Sequence, residues 1–253
     1  MTEATLSIEN LFFTYADGTE ALRNISLDIG PNELFVLFGP ARGGKTTLLR
    51  LFNRLSDLLE DTRRQGTILF NGEDIFRRGV DVIALRRRIS MVFAIPTPLP
   101  GSIYDNLAYG LKMAGIRDVS TIDERIERGL RQAALWDEVK DRLDTSAFAL
   151  SGGQKQRLCL ARSLAMEPEV ILLDNPTSGL DPISTATVEQ SLSELKEDYT
   201  IIMVPHSVQQ AGRVADRAAF LLDGEIVEVG TQEDLFLRPQ DKRTEGYITG
   251  RYG

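Results

Sequence analysis

A buried strand that runs directly into a glycine-rich turn, and then into a helix, is the feature that most constrains this chain. Leu34–Phe38 is an unbroken apolar run, and the glycine-rich segment Gly39–Thr46 follows it. Apolar residues then recur at helical spacing across Leu48–Phe52. A short run that is apolar throughout indicates a strand buried on both faces, which is typical of a parallel sheet. The segment therefore predicts the first unit of a parallel α/β fold.

Three more short apolar runs predict further strands of the same sheet. They are Val170–Leu173, Ile201–Val204 and Ala218–Leu222, and amphipathic helical segments lie between them. Ahead of the first unit, apolar residues alternate with polar ones between Leu6 and Ile29, which predicts antiparallel strands with one solvated face. A length of 253 residues fits one α/β domain that carries an inserted lobe.

The inserted lobe is predicted from the loss of buried runs across residues 102–150. Apolar residues in this stretch follow helical spacing, as Ile122, Ile126 and Leu130 do. The segment Pro96–Gly101 leads into it and predicts extended chain, because each proline lacks a backbone donor and restrains its predecessor. We therefore expect a helical region inserted into the sheet domain.

Composition and charge exclude several classes of protein. The chain has 29 Lys and Arg against 37 Asp and Glu, a net charge of −8, which argues against a protein that coats nucleic acid. Arginines cluster at 63–64, 77–78 and 86–88, and we expect a solvated surface with carboxylate partners. The single cysteine, Cys159, indicates a reducing compartment. The chain has no apolar stretch of transmembrane length, and Met1–Ala4 does not resemble a secretory signal, so we expect a cytoplasmic protein.

Gly39–Thr46 has the spacing of a phosphate-binding loop, or P-loop. Glycines let the backbone wrap so that N–H groups converge on phosphate oxygens at a helix N-terminus. Lys45 supplies a positive charge for the β- and γ-phosphates, and Thr46 supplies a hydroxyl ligand for Mg²⁺. Asp174 ends a buried run, where its carboxylate can hold the water shell of the magnesium ion. The pattern predicts a protein that binds a nucleoside triphosphate together with Mg²⁺.

The segment Ser151–Gln154 has a structural and a functional interpretation. Ser151 and Gln154 fit a capping box at the start of a helix, which is a structural role. The adjacent Gly152 and Gly153 lower helix propensity and leave bare N–H groups, which form an anion site. Capping explains the serine and the glutamine and leaves the pair of glycines unexplained.

These motifs, in this order, resemble the ATP-binding subunits of ABC transporters along essentially the whole chain. The matching segments are Tyr15 for the aromatic that stacks on adenine, Gly39–Thr47 for Walker A, Leu150–Gln154 for the signature, Val170–Asp174 for Walker B, Ser178–Asp181 for the D-loop and His206 for the switch histidine. Within this family, Ser102–Tyr109 and Lys242–Gly250 are similar to the phosphate-import ATPases.

The resemblance implies an α/β P-loop NTPase fold with a mostly parallel sheet, an N-terminal antiparallel β-subdomain and an inserted helical subdomain. We expect a single ABC ATPase domain over 1–253. Its nucleotide-binding core would comprise 1–93 and about 167–253, and its helical subdomain about 94–166.

The resemblance also implies a site for ATP and Mg²⁺. The expected nucleotide-binding residues are Tyr15, Gly39, Pro40, Ala41, Arg42, Gly43, Gly44, Lys45, Thr46, Thr47, Ser151, Gly152, Gly153, Gln154 and Asp181. The expected metal ligands are Thr46 and Asp174, and the expected catalytic residues are Asn175, His206 and Lys45. Arg42 is open to two interpretations, a solvent-facing side chain or an additional phosphate contact.

The partners implied are a second ABC ATPase subunit, in a homodimer, and membrane-spanning permease subunits, with no nucleic acid. Two domains would pair head to tail, so that ATP on one P-loop is capped by Ser151–Gln154 of the other copy. The resemblance therefore implies an ATP-binding subunit of an importer, for phosphate, on the inner face of the plasma membrane.

Two residues depart from the family pattern. Asn175 stands where the family has a glutamate that polarises the attacking water, and Ala94 stands where it has a glutamine. Asparagine carries no charge and accepts no proton at neutral pH. We therefore predict that the chain keeps its affinity for Mg-ATP and turns it over slowly. The alternative is a hydrolysis-poor switch that dimerises with nucleotide, or a degenerate partner of another ABC ATPase. A DNA-repair or translation factor of the ABC type is disfavoured, because the chain has neither long coiled coils nor a second cassette.

Overall fold

Two β-sheets organise the part of the chain that the computed structural model describes, residues 4–251. The expectation for Met1–Ala4 falls on 1–3 for the most part, outside the described residues. The strands are β1 (Leu6–Thr14), β2 (Glu20–Ile29), β3 (Leu34–Phe38), β4 (Arg63–Phe70), β5 (Glu73–Asp74), β6 (Ile89–Val92), β7 (Val170–Asp174), β8 (Thr200–Val204), β9 (Arg217–Leu222) and β10 (Glu225–Thr231). The helices are α1 (Lys45–Phe52), α2 (Val82–Arg88), α3 (Ile103–Met113), α4 (Val119–Gln132), α5 (Trp136–Val139), α6 (Gly152–Leu164), α7 (Pro182–Leu195), α8 (Val208–Val214), α9 (Gln232–Leu237) and α10 (Lys242–Ile248).

The larger sheet is mostly parallel, as predicted. Across it the strands lie in the order β10, β9, β3, β8, β7 and β6. Among the described strands of this sheet, only the β9–β10 pair is antiparallel. Every residue of β3, β7 and β8 is buried, which explains why those strands read as continuous apolar runs. β6 and β10 are not predicted from the sequence. β6 spans four residues and follows an arginine-rich helix, and β10 lies at the sheet edge with a half-exposed, acidic sequence.

The smaller sheet is antiparallel, in the order β2, β1, β4 and β5. This confirms the antiparallel strands predicted before the first α/β unit. β4 was not predicted, because it starts with an arginine pair that was interpreted as solvated surface. The inner face of this sheet, α1 and one face of the larger sheet share one buried hydrophobic core. The shared core holds β1 and β2 beside the turn that follows β3.

Between β6 and β7 the chain holds helices and loops, with one isolated β-bridge between Ser102 and Ser146. α4 packs closely on α6 at Gly129, where an added Cβ atom would lie 2.8 Å from the carbonyl oxygen of Ala161. The helical region is confirmed, and Pro96–Gly101 lies outside any helix or strand, as its prolines predict. The expected subdomain boundaries, about 94 and 166, fall inside this interval and stay a prediction. Over residues 4–251 the structure has no helix of the length and apolarity that crossing a membrane requires.

The arginine clusters form two kinds of contact. Arg77 pairs with Glu73 at 3.0 Å and Arg88 pairs with Glu169, as expected for a solvated surface with carboxylate partners. Arg86 instead donates to the backbone carbonyls of Asn53 and Arg54, and the guanidinium of Arg64 lies over the ring of Phe76 at 3.9 Å from its centroid. The second pair of arginines therefore fastens α2 and β4 to their neighbours, a role that adjacency in sequence does not reveal.

Candidate nucleotide site

The candidate site lies where three parallel strands end at the same edge of the larger sheet. β3 leads into Gly39, β7 into Asn175 and β8 into Pro205. Ligands of open α/β sheets bind at the carboxyl ends of the strands. A cleft of about 670 Å³ opens here between the two sheets, and Tyr15, Ala41–Thr47 and Asn175 line it. The structure therefore brings the P-loop together with the residues that directly follow β1 and β7.

The P-loop is wrapped so tightly that two of its positions require glycine. Gly39 has a φ of +143°, and an added Cβ atom would lie 2.0 Å from the carbonyl oxygen of Leu221. Gly44 has a φ of +94°, and an added Cβ atom would lie 2.5 Å from the carbonyl oxygen of Ala21. Gly44 directly precedes α1, so the loop ends at a helix N-terminus, where backbone N–H groups favour phosphate. The loop has the local geometry of a phosphate cradle.

Lys45 places a cation in this cradle. Its ammonium group donates to the carbonyl oxygens of Gly39 at 2.8 Å and Pro40 at 2.6 Å. Burial lowers the pKa of Lys45, and the nearby carboxylate of Asp174 opposes that shift. The phosphate oxygens of a nucleotide are stronger acceptors for the ammonium group than backbone carbonyls are.

Thr46 and Asp174 form the pair that the sequence predicted for magnesium. The Thr46 hydroxyl donates to Oδ1 of Asp174 at 3.1 Å, and burial raises the pKa of the Asp174 carboxyl group. Over residues 4–251 the structure holds no cluster of three or more His, Cys, Asp or Glu side chains that could bind a metal ion. One hydroxyl and one carboxylate fit Mg²⁺ bound mainly through substrate phosphates and water. The residues present therefore fit Mg²⁺ that arrives with a nucleotide.

Tyr15 is held at the mouth of the cleft by two contacts. Its hydroxyl group shares a hydrogen bond of 2.7 Å with the hydroxyl of Thr47, on the first turn of α1. The rings of Phe13 and Tyr15 pack in a T-shaped pair, with a centroid distance of 5.1 Å and an interplanar angle of 86°. The ring is therefore fixed beside the P-loop, where an aromatic face can stack on a base.

A second cavity of about 350 Å³ adjoins the P-loop, and Lys45, Asn175, Ser178, His206 and Tyr247 are among its lining residues. The backbone N–H of Asn175 donates to the carbonyl oxygen of Val204 at 2.9 Å, which holds the segment after β7 against β8. The His206 side chain is exposed. The three expected catalytic residues therefore surround one cavity. The sequence does not predict Tyr247 as a site residue, although Tyr247 lies in Lys242–Gly250, the segment that is similar to the phosphate-import ATPases.

Ser151–Gln154 and Asp181 do not line either cavity. Ser151 and Gln154 form the predicted capping box at the start of α6, with hydrogen bonds of 3.0 and 3.3 Å. Asp181 accepts from the backbone N–H groups of Ile183 and Ser184, each at 3.0 Å, and so caps α7. These residues therefore lie off the two cavities that the P-loop adjoins.

The two signature glycines have different surroundings. An added Cβ atom on Gly153 would lie 2.5 Å from Oγ of Ser184, on α7, whereas one on Gly152 would meet no atom within 4 Å. Packing of α6 on α7 therefore explains Gly153, which capping leaves unexplained. Packing does not explain Gly152, whose backbone at the start of α6 has no neighbouring atom within 4 Å of an added Cβ.

The structure also places Arg42 and Ala94. Arg42 lines the large cleft with an exposed side chain and a φ of +65°, in the left-handed region. Ala94 is half-buried between the exposed Phe93 and Ile95. The side-chain amide of Gln156, on α6, donates to the carbonyl oxygen of Phe93 at 3.1 Å. A methyl group at position 94 offers no polar atom to a ligand.

Comparisons with known proteins agree with the family resemblance that the sequence motifs indicate. The ABC transporter family model matches residues 22–178. The chain is 51% identical over 251 residues to the phosphate import ATP-binding protein PstB of Idiomarina loihiensis, which covers 99% of this chain and 92% of that protein. It is 49% identical over 248 residues to the phosphate import ATP-binding protein PstB 2 of Lactobacillus acidophilus, which covers 98% of each.

A solved structure also matches the fold. CbiO1 from Clostridium perfringens, part of the ABC transporter complex cbiONQ, superposes with a TM-score of 0.82 at 28% identity, over 98% of this chain and 97% of that one. The α/β P-loop NTPase fold that the sequence predicted is thereby confirmed. The family match over more than half of the chain and 51% identity over nearly all of it show that the chain belongs to the ABC transporter ATP-binding proteins, in their phosphate-import subfamily.

Proposed function

We propose that this chain is the ATP-binding subunit of a phosphate importer, and that it couples ATP binding and hydrolysis to the closing and opening of a pair of such subunits. The observation that carries this proposal is the cleft of about 670 Å³ in which Tyr15, Ala41–Thr47 and Asn175 converge. The relatives that match 98–99% of the chain are named as phosphate import ATP-binding proteins, which supports phosphate as the solute.

Each part of the cleft has a role toward ATP. The backbone N–H groups at the start of α1 and the Lys45 ammonium group bind phosphate oxygens, and the Tyr15 ring stacks on the adenine. Thr46 and Asp174 would hold Mg²⁺, which supplies neutralisation of the charge on the β- and γ-phosphates. Asn175 and His206 lie at the adjoining cavity and orient the water that attacks the terminal phosphate.

A second copy of the chain completes the site. Ser151–Gln154 begin α6 away from the cleft of their own chain, and Gly152 leaves backbone open there. In a head-to-tail homodimer this helix start would face ATP held on the other P-loop, so that one nucleotide is gripped from two sides. Permease subunits would bind the pair at the cytoplasmic face of the plasma membrane, and dimer closure would be transmitted to them through the helical region.

Slow turnover is part of the proposal. Asn175 cannot accept a proton at neutral pH, and general-base assistance typically contributes about 10²- to 10⁴-fold to a rate. Ala94 adds no polar atom that could sense the nucleotide. His206 stays available to orient water, so we expect residual hydrolysis.

The same two residues favour a second candidate function. Binding residues such as Lys45 and Thr46 are present, whereas both altered positions belong to the hydrolysis machinery of the family. A chain with this pattern could act as a nucleotide-dependent dimerisation switch, or as a degenerate partner of another ABC ATPase. It would then clamp ATP with little turnover of its own.

Nucleotide binding is the first test. Equilibrium dialysis of the purified chain against ATP in millimolar magnesium is expected to show binding, and Lys45→Ala is expected to weaken it about 10- to 100-fold through loss of a charged hydrogen-bond donor. Lys112→Ala, an exposed lysine on α3, is the matched control and should bind as the wild type does. A wild-type chain that is indifferent to adenine nucleotides would rule out both candidate functions.

Assembly and transport separate the two candidates. The importer predicts that the chain co-purifies with permease subunits, and that ATP-dependent uptake of radiolabelled phosphate by the complex is lost in Lys45→Ala. Uptake of sulfate in place of phosphate would refute the assignment of the solute. Dimers that ATP stabilises, without turnover and without a permease, would support the switch instead.

A further inference from the structure

Gln210 is a buried side chain whose amide group joins three separate segments beside the second cavity. It is 2% exposed. Its Oε1 accepts the backbone N–H of His206 at 2.9 Å, and its Nε2 donates to Oγ1 of Thr177 and to Oε1 of Glu189, each at 2.9 Å. The Thr177 hydroxyl also lies 3.3 Å from Oε1 of Gln210. All the polar groups of the amide are therefore used.

The three partners come from the segment after β7, which carries Asn175, from the segment after β8, which carries His206, and from α7. Thr177 lies two residues after Asn175, and His206 lies two residues after β8. Glu189 belongs to α7 and also binds the guanidinium of Arg213 on α8, at 2.7 and 3.1 Å. Through Gln210, the segment after β7 and the segment after β8 are tied to one another and to the α7–α8 pair.

A primary amide is suited to this position because it both accepts and donates hydrogen bonds. Thr177 is 5% exposed, and Glu189 is mostly shielded from solvent. Moving either segment would leave buried polar groups unpaired, which is unfavourable. The His206 ring is exposed, so its location depends on where its backbone is held.

We infer that Gln210 is a positioning residue that fixes the backbone of His206 against the segment carrying Asn175. It thereby sets how the His206 and Asn175 side chains face the cavity beside Lys45. The inference rests on the proposed function in one respect, namely that this cavity receives the terminal phosphate of ATP. A purely structural Gln210 would fasten α8 to α7 and leave the relation between the two segments unchanged.

The first experiment measures the tie itself, in the full chain and without nucleotide. Amide hydrogen exchange is followed in the segments 174–178 and 204–208 for Gln210→Ala and for Gln209→Ala. Gln209 is the exposed neighbour on the same helix and serves as the matched control. Gln210→Ala is expected to speed exchange in both segments by about tenfold, and Gln209→Ala in neither. Unchanged protection in either segment of Gln210→Ala would overturn the inference.

A pair of substitutions tests the direction of the hydrogen bonds. Gln210→Glu still accepts from His206 but sets a second carboxylate against Glu189, so it should loosen both segments. Adding Glu189→Gln returns a donor to that contact and is expected to restore protection. Failure of the double variant to recover would mean that the hydrogen-bond pattern is not what holds the segments.

The second experiment measures turnover of the assembled ATPase. Gln210→Ala is expected to lower kcat about 10- to 100-fold with the KM for ATP unchanged, because geometry is lost while binding is kept. In a His206→Ala background the same change should have a smaller effect, because only Asn175 then remains to be displaced. Equal losses in both backgrounds would overturn the inference. Absence of ATP binding by the wild type would defeat the proposed function instead, and hydrogen exchange would still decide whether Gln210 ties the segments.

Discussion

Asp174 shows how a site residue can work against the stability of its own chain. It is 8% exposed at the end of β7, and burial raises the pKa of its carboxyl group. The Thr46 hydroxyl donates to it at 3.1 Å, which is long for a bond to a charged acceptor. Burial of a carboxylate is unfavourable, and Arg50 and Lys45 offset only part of that effect on Asp174. In the proposed function Mg²⁺ would offset more of it, so the residue would stabilise the loaded protein more than the free one.

Asp174→Asn is expected to raise the free energy of unfolding of the nucleotide-free chain at pH 7, by about 0.5–2 kcal/mol. The pKa of Asp174 in the folded chain lies above the ordinary value of 3.8. The protonated carboxyl group therefore contributes its full stability below pH 3.8, and this contribution is lost as the pH rises through the folded pKa. Urea unfolding should therefore show the two proteins converging in acid and separating toward neutrality, and magnesium should no longer strengthen nucleotide binding by the variant. Asp198→Asn, an exposed carboxylate, is the control. Equal stability of Asp174→Asn and the wild type at pH 7 would contradict the expectation.

Arg42 adopts an unfavourable backbone conformation in the P-loop. Its φ of +65° lies in the left-handed region, which is unfavourable by about 1–2 kcal/mol for residues that carry a Cβ atom. Arg42→Gly is expected to raise the free energy of unfolding by up to about 1 kcal/mol, since the greater freedom of glycine in the unfolded chain offsets part of the gain. Urea unfolding checks this. Arg42→Ala keeps the Cβ atom, so an equal gain there would assign the effect to the guanidinium charge.

At the scale of elements, the start of α6 is shaped by its contact with α7. Gly153→Ala would place a methyl group 2.5 Å from Oγ of Ser184, and we expect it to lower the free energy of unfolding by about 1–3 kcal/mol. Gly152→Ala meets open space, so it should leave stability unchanged or higher while weakening dimers formed with Mg-ATP. Chemical unfolding and size-exclusion chromatography measure the two effects. Recovery of stability when Gly153→Ala is combined with Ser184→Gly would confirm the clash, and no recovery would place the defect elsewhere.

The elements that could be predicted from the sequence are those whose signal is local. The strands β3, β7, β8 and β9 have apolar runs of their own, and the P-loop has its glycines, lysine and threonine within eight positions. β6 and β10 carry weak local signals and owe their strand conformation to the neighbours β7 and β9. The partner of β6 is distant in sequence, and the partner of β10 lies across a turn. No periodicity in the residues of β6 or β10 therefore identifies either strand.

The same distinction explains which site residues were missed. Gln210 was not singled out, because its role depends on Thr177 and Glu189, which are remote in sequence. Gly153 was interpreted only through its bare N–H group, because its contact with Ser184 joins two different helices. Tyr15 was placed at the site by family resemblance alone, and the hydrogen bond to Thr47 is the structural reason that it lies there. A contact that joins two elements leaves no recognisable pattern in the local sequence of either element.

At the scale of the whole molecule, the proposed function gives each chain one half of a nucleotide site. The cleft lies between the antiparallel sheet that carries Tyr15 and the parallel sheet that carries the P-loop, whereas the start of α6 lies off that cleft. In the proposed homodimer, ATP would join these two surfaces. In such an arrangement, the rate at which ATP is cleaved sets how long the closed pair persists. On this proposal, the residue at position 175 would govern the lifetime of the assembly more than its formation.

Asn175→Glu is expected to raise turnover at least about 10²-fold by restoring a general base, and to shorten the lifetime of the ATP-bound dimer. It should also lower the free energy of unfolding by about 1 kcal/mol, because asparagine tolerates the φ of +48° at this position better than glutamate does. Radiolabelled-ATP turnover and urea unfolding measure the two effects. Asn10→Glu, at an exposed site with a φ of +46°, should show the loss of stability without the gain in turnover. A revertant that is no faster than the wild type would mean that Asn175 does not limit hydrolysis, and the slow step would then lie in opening the dimer.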